Sequence, residues 1–491
     1  MKTKYIIPII IIFSGIAVGC SDFIKLSSPN DLTLSSYFKT PDQILAAVNG
    51  SYGTLRADGI TKNLYIFGEI PSDNTSNALS GTVTDQDEFD KFYIRTTNPF
   101  ISGFWNDHYK GISKVNLVLA SIDAVDMDAN LKARYKMEME FLRAYFYFDL
   151  VRVFGGVPLV TAPITNIQDS YKMGRETKEN VYAQIIKDLT DAEGLPQSYT
   201  GDDIGRATKG AAKALLGKVY LTLNDYAKAE TKLKEVIDLN QYALLENDPG
   251  NLNINGYVSV FNPNNHNNKE SVFEVQFKKG GFGTGSNFVN NFAPENSGTS
   301  VASVGGTSGN NIPTLDMWNT YEPGDLRRAF SMALTYVNSK GDTVQSRYVW
   351  KYRDTPYQNN DANNDFPTIR YADVLLMYSE CLNENGKTAE ACNYLNMIRR
   401  RGFGYQTGQV SPVDINTSDK AQYRLLVEHE RRVEFAFECT RWFDLVRTGR
   451  AVEVMTSKGF KLDASNLICP IPQIEIDINP GVIEQNPYNY H

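Results

Sequence analysis

The sequence predicts a mostly α-helical protein, a scaffold of tetratricopeptide-like helical hairpins carrying a loop-rich irregular subdomain with a few short strands. Three observations predict this. Apolar residues recur at helical spacing through four long stretches. In one of them Leu216-Gly217, Tyr220, Ala229 and Leu233 fall at the spacings of a tetratricopeptide hairpin, with a small residue where two helices cross and an aromatic to fill the groove. Between the helical blocks the composition changes: the 70 residues from Gln241 to Asn310 hold 14 Asn and 10 Gly, which favour turns over helix.

In chain order, Met1 to Cys20 (MKTKYIIPIIIIFSGIAVGC) reads as a secretory signal peptide: Lys2 and Lys4, an apolar run from Tyr5 to Val18, then small residues. The run is shorter than the roughly 20 residues a helix needs to cross a bilayer. Ala17-Val18-Gly19-Cys20 resembles a bacterial lipobox, with Ala17 where leucine is commoner, so Cys20 is expected to carry lipid and become the mature N-terminus. The expected division is 1–19 signal peptide and 20–491 one domain, its scaffold at about 20–60, 100–240 and 366–491 and its insert at about 241–365 together with 61–99.

Helices are expected from Phe104 to Leu119, Leu131 to Phe154, Thr177 to Glu193, Thr208 to Leu239, Ile369 to Arg401 and Gln422 to Arg447. Gly155-Gly156-Val157-Pro158 ends the second of them. Tyr378-Ser379, Leu382, Ala391 and Leu395 repeat the hairpin spacing with looser chemistry. One strand is expected where Phe273, Val275 and Phe277 alternate with Glu274 and Gln276.

Composition excludes several functions. A formal charge of −8 without a basic block opposes nucleic-acid binding, which needs clustered Lys and Arg. With four His and five Cys, and no CxxC, HExxH or CxxCH, no metal centre or cofactor is expected. Beyond Cys20, Cys381, Cys392, Cys439 and Cys469 are read as buried free thiols, with a Cys381–Cys392 disulfide as the alternative. Glu430, Glu434, Glu438 and Arg441 lie at helical spacing on one face. Paired carboxylates serve glycoside hydrolysis, but with Arg431, Arg432, Arg441 and Arg447 at hand these read as an ionic network, and no enzyme is expected.

Candidate ligand-binding residues lie in the irregular stretches. Phe282, Phe288 and Phe292 are separated by Gly and Asn and are not expected to share a face of regular structure. Such rings can offer a flat apolar face to a sugar or a peptide side chain while Asn, Asp and Arg supply hydrogen bonds. The alternative is an Ω-loop packed on its own aromatics. Trp318, at the edge of the insert, is a further candidate stacking platform.

Eight segments resemble the SusD/RagB family of outer-membrane nutrient-capture lipoproteins. Among them are EFLRAYFYFDLVRVFGGVPLV (Glu140 to Val160), GRATKGAAKALLGKVYLTLNDYAKAE (Gly205 to Glu230), HERRVEFAFECTRWFDLVRTGR (His429 to Arg450) and LICPIPQIEIDINPGVIEQNP (Leu467 to Pro487). The resemblance implies a lipid-anchored protein at the cell surface that grips an oligosaccharide or a peptide and delivers it to a SusC-like TonB-dependent barrel, without catalysis. It implies a helix at Trp318 and Tyr321 leading to a turn at Gly324-Asp325, and it adds Tyr321, Asp73 and Asn74 to the candidates, the last two also as loop-shaping residues. The leading expectation is glycan binding; peptide capture, a scaffold that binds only proteins, and a helical glycosidase are the alternatives.

Overall fold

A computed structural model describes residues 38–77, 84–248 and 256–488. The signal peptide and Cys20 lie outside the described residues.

The principal helices are α1 (Pro41–Thr54), α2 (Pro99–Ser121), α3 (Ala129–Phe154), α4 (Lys178–Ala192), α5 (Lys209–Thr222), α6 (Tyr226–Asp238), α7 (Leu315–Thr320), α8 (Tyr371–Glu384), α9 (Thr388–Gly402), α10 (Lys420–Glu434) and α11 (Arg441–Arg447). Apart from α7, which lies in the insert, each from α2 to α9 packs on the next. Neighbouring pairs share the buried faces that the periodicity marked, as where Phe141, Leu142, Tyr145 and Phe148 of α3 are all within 3% of full burial. Polar caps start many of these helices: the Asn98, Thr208, Asp225 and Asp419 side chains each accept from backbone N–H groups of the first turn.

The stretch from Thr208 to Leu239 is two helices, as the hairpin spacing predicts: Asn224 takes a left-handed φ of 59° between them and Asp225 caps the second. They cross closely at Gly217, where a Cβ would come 2.8 Å from the Leu233 side chain. Gly217→Val is therefore expected to lower stability by about 1–3 kcal/mol, read as a lower denaturation midpoint, since overpacking must push the two helices apart. A change within about 0.5 kcal/mol would remove the close-crossing argument.

Among the described residues six strands form three two-stranded antiparallel sheets: β1 (Thr75–Ser76) with β3 (Ile312–Pro313), β2 (Ser271–Val275) with β6 (Phe366–Arg370), and the hairpin β4 (Met332–Val337) with β5 (Thr343–Val349). In the second sheet Ser271 pairs with Arg370 and Val275 with Phe366. β2 does not alternate as expected. Glu274 is buried with its apolar neighbours, and its carboxylate accepts from the Asn267 N–H at 2.5 Å.

The last expected helix breaks between Glu434 and Arg441, so Glu438 and Arg441 do not continue the face of Glu430 and Glu434. Phe437 and Cys439 take positive φ angles of 66° and 60°, and both N–H groups donate to the buried Glu69 carboxylate, at 3.0 and 3.1 Å. A contact across 370 residues of sequence thus overrides local periodicity. Burial pushes the Glu69 carboxyl up to about 7, against the hydrogen bonds it accepts from Asn74, Phe437 and Cys439.

Scaffold and insert meet at a buried ionic lattice. Glu434 accepts from Arg327 at 2.8 Å, Arg370 at 2.6 Å and Arg401 at 2.5 Å. Glu270 joins Arg370 and Arg401, Glu430 joins Arg327, and Glu438 joins Arg370 and Lys351. Every one of these side chains is at most 2% exposed. Burial alone raises a carboxyl, but the three guanidinium groups hold Glu434 well below the usual range. Lys351 is pulled down to about 8 by burial, with Glu438 opposing. The carboxylates at 430, 434 and 438 are thus saturated by cations. Cys381, Cys392, Cys439 and Cys469 are all free thiols, the first three buried.

Candidate functional site

The structure separates the seven candidate ligand residues sharply. Phe288 and Phe292 belong to the core, at 2% and 3% exposure. They lie one helical turn apart on the short helix Phe288–Phe292, so they do share a face of regular structure, with ring centroids 5.9 Å apart. Phe288 also packs on Phe277, Tyr352 and Phe366, and Phe292 on Tyr65. Both rings are enclosed in the core, packed mainly on rings from other segments of the chain and not on their own loop. Tyr321 is likewise buried, its hydroxyl donating to the Val433 carbonyl.

Asp73 and Asn74 face inward. Arg441 donates to both Asp73 oxygens at 2.8 and 3.0 Å, and Arg432 lies 3.1 Å away. The Asn74 amide donates to Glu69 and accepts from Arg432. Both therefore fasten the first irregular stretch to α10 and the start of α11. Trp318 is half-buried on α7 with the Arg328 guanidinium 4.9 Å from its ring centroid.

Phe282 alone of the predicted rings is open to solvent, at 72% exposure. Beside it stands Tyr357 at 63%, which sequence reasoning missed. A Cβ built on Gly281 would lie 3.2 Å from the Tyr357 ring, so the turn carrying Phe282 runs against that ring. The signal was present: Tyr357 sits in DTPYQNNDANND, a polar turn-forming run like the one around Phe282.

Three loops meet around these rings, 280–283, 304–306 and 357–361. The buried Asp361 carboxylate accepts from Gly280 N–H at 3.1 Å and Gly281 N–H at 2.7 Å, and its backbone carbonyl accepts from Tyr357 N–H at 2.9 Å. Gly280 and Gly281 have φ of 135° and 81°, which leaves this turn to glycine. The buried Asn290 amide donates to the Val304 and Gly306 carbonyls and accepts from Asn360 N–H. Ser303, Gly305, Gly306, Gln358, Asn359 and Asn360 are exposed around the rings, and none is charged. Lys279, below the turn, is paired to Asp354 at 2.8 Å. The surface can thus stack a flat apolar ligand face and hydrogen-bond its edges.

Two clefts of about 470 and 710 Å³ lie elsewhere, in the helical scaffold. Arg431, Asp444 and Arg447 line both, and they are bonded to one another, with Arg447 also holding Glu380. Cleft walls whose charges are already paired offer a ligand little directional bonding. No group of three or more His, Cys, Asp or Glu side chains among the described residues is placed to hold a metal ion.

Family comparisons bear on this arrangement. A family model described as "SusD family" matches residues 326–490, and one described as "Starch-binding associating with outer membrane" matches residues 22–221. A SusD-like protein of Formosa agariphila is 27% identical over 99% of each chain. Among solved structures, a laminarin-binding SusD-like protein is 28% identical with a TM-score of 0.77, covering 92% of this chain and 100% of that one. A surface glycan-binding protein A from Bacteroides fluxus shares the fold at 24% identity and a TM-score of 0.78, covering 91% and 99%. With two family models matching separate parts of the sequence, relatives aligned nearly end to end and the same helical architecture, the chain belongs to the SusD family.

Proposed function

We propose that this protein is a surface lipoprotein of the outer membrane, anchored through Cys20, that binds a glycan on the Phe282–Tyr357 platform and delivers it to a SusC-like TonB-dependent barrel. The observation that carries the reading is the pair of exposed aromatic rings on loops rich in uncharged polar side chains, in a chain of this family. A sugar ring presents C–H groups on its face and hydroxyls on its rim, and that platform complements both. Binding without turnover is favoured by the saturated carboxylates of the ionic lattice, which leave no free acid and base pair there. Among the described residues no helix is long and apolar enough to cross a membrane, which accords with an anchor at the N-terminus.

The test is calorimetry of the mature chain against laminarin oligosaccharides, other neutral and acidic oligosaccharides, and peptides. A neutral glycan is expected to bind. Phe282→Ala and Tyr357→Ala should each weaken it by about 1–2 kcal/mol, roughly tenfold, with an unchanged melting temperature. Trp318→Ala should cost less, since Arg328 already covers part of that ring. Loss of binding in Trp318→Ala alone would move the site to α7, and binding of peptides alone would replace the glycan reading. Co-purification of a β-barrel from membranes, lost in a Cys20→Ser chain that is no longer retained at the outer membrane, tests anchor and partner.

A further inference from the structure

Aromatic rings on exposed loops make a poor platform if they must be ordered at each binding event, because the ordering cost is subtracted from the affinity. Here the two rings come from segments 75 residues apart in sequence, yet one buried residue touches the backbone of both. We propose that Asp361 is the positioning residue of the ligand platform, its side chain fixing the turn that presents Phe282 and its main chain fixing Tyr357. The inference rests on the glycan reading for its purpose, but its geometry stands apart from any ligand.

Three features support it. Asp361 is 3% exposed, although it lies in a loop whose neighbours from Tyr357 to Asn360 are open to solvent. Two successive N–H groups, of Gly280 and Gly281, converge on a single carboxylate oxygen, Oδ2. Such paired amides form a small anion-binding concavity, and here the protein's own carboxylate fills it, so the turn is held by charge-assisted bonds. Finally, Asp361 is itself fixed through its main chain: its N–H donates to Gln358 and its carbonyl accepts from Tyr357, while the adjoining Ala362 exchanges both backbone hydrogen bonds with Ser286. Asp361 is thus anchored on one side to the segment that follows Phe282, through the Ala362–Ser286 bridge, and on the other to the loop that carries Tyr357. Its second oxygen, Oδ1, is buried without a hydrogen-bond partner among the described residues. One oxygen makes both bonds, so an amide oxygen in its place keeps both acceptor contacts but loses their charge assistance.

Asn290 provides the contrast. It ties loop 304–306 to Asn360 but makes none of its side-chain bonds to the Phe282 turn. Its replacement should loosen the Gly305–Gly306 edge while leaving Gly280 and Gly281 as they are.

The experiment is residue-resolved amide hydrogen exchange on the intact mature chain, joined to a binding cycle. In the wild type the Gly281 amide, on an exposed loop, should exchange at least about tenfold more slowly than free chain, because its charge-assisted hydrogen bond must open before the amide can exchange. Asp361→Ala should remove that protection at 280–281 while leaving Tyr357, held by the main-chain carbonyl, as it is; Asp361→Asn should restore part of the protection, and Asn290→Ala should leave Gly281 unchanged. With laminarin hexasaccharide as the probe, Asp361→Ala should bind about tenfold more weakly, and adding Phe282→Ala to it should bring no further loss. Fast exchange of Gly281 in the wild type, or unchanged protection in Asp361→Ala, overturns the proposal whether or not any glycan binds; additive losses in the double variant overturn it equally. Should Asp361→Ala fail to fold, the wild-type and Asp361→Asn exchange rates decide. Slow Gly281 exchange with no glycan binding across the panel would leave the clasp standing and remove the proposed function instead.

Discussion

Replacing Glu434 by alanine should lower the unfolding free energy by about 3–5 kcal/mol, a large part of the stability of an ordinary domain. The reason is what stays behind. Arg327, Arg370 and Arg401 point three guanidinium groups at one carboxylate, and all are fully or almost fully buried. Without it they face each other in a medium that screens poorly, with hydrogen-bond donors left unmade. The effect has a pH signature. The folded Glu434 carboxyl lies well below its ordinary value of 4.5, so its contribution is fully present above that pH and is lost as the pH falls through the folded value. Denaturant midpoints from neutral pH down to about pH 3 should therefore fall steeply in the wild type and less steeply in Glu434→Ala. The exposed Arg450–Glu453 pair is the control: Glu453→Ala should change stability by less than about 1 kcal/mol. Equal effects of the two substitutions would mean that the lattice is no more than a collection of surface pairs.

Phe288→Ala should be nearly as costly, about 3–5 kcal/mol, and should act on folding, not on ligand binding. Its ring is enclosed by Phe277, Phe292, Tyr352 and Phe366 with centroids 5.0 to 5.9 Å away. Removing it opens a cavity that those four rings can only partly close, and the loss of transfer free energy adds to the cavity cost. Phe282→Ala, six residues earlier in the same Gly- and Asn-rich run, should leave the melting temperature unchanged. Thermal unfolding of both variants, alongside binding, separates a core ring from a surface ring. A stable Phe288→Ala that loses ligand would reverse the assignment.

That pair shows what the sequence could and could not tell. The helices were readable because their buried faces are set by local spacing, and the close crossing at Gly217 follows from one small residue in an apolar groove. The break after Glu434 was not readable, since its cause is Glu69, far away in sequence. The rings at 282, 288 and 292 share one composition, and composition marks a loop without saying which side of it is covered. A single turn of helix at Phe288–Phe292 turns two of the three inward. Tyr357 carried the same polar-run signal as Phe282, but Asp361 carried none, because an aspartate among asparagines looks like any turn residue until two glycine amides are found pointing at it.

The pairing of Ser271 with Arg370 has a consequence for how such a protein can change. The chain leaves the helical body along β2 and re-enters it along β6, at neighbouring positions of one sheet, so the two ends of everything between them are held side by side. Lengthening a loop inside that span adds little closure entropy and moves no helix. The exposed loops that carry Phe282 and Tyr357 are in this sense an exchangeable head, free to be rewritten without moving the helices. The freedom has limits: β3 pairs with β1, Phe292 packs on Tyr65, and the Tyr321 hydroxyl donates to the Val433 carbonyl. Arg327 and Lys351 lie inside the span and complete the charge lattice around Glu430, Glu434 and Glu438, so any replacement head must arrive carrying two cations in register with carboxylates it does not itself contain.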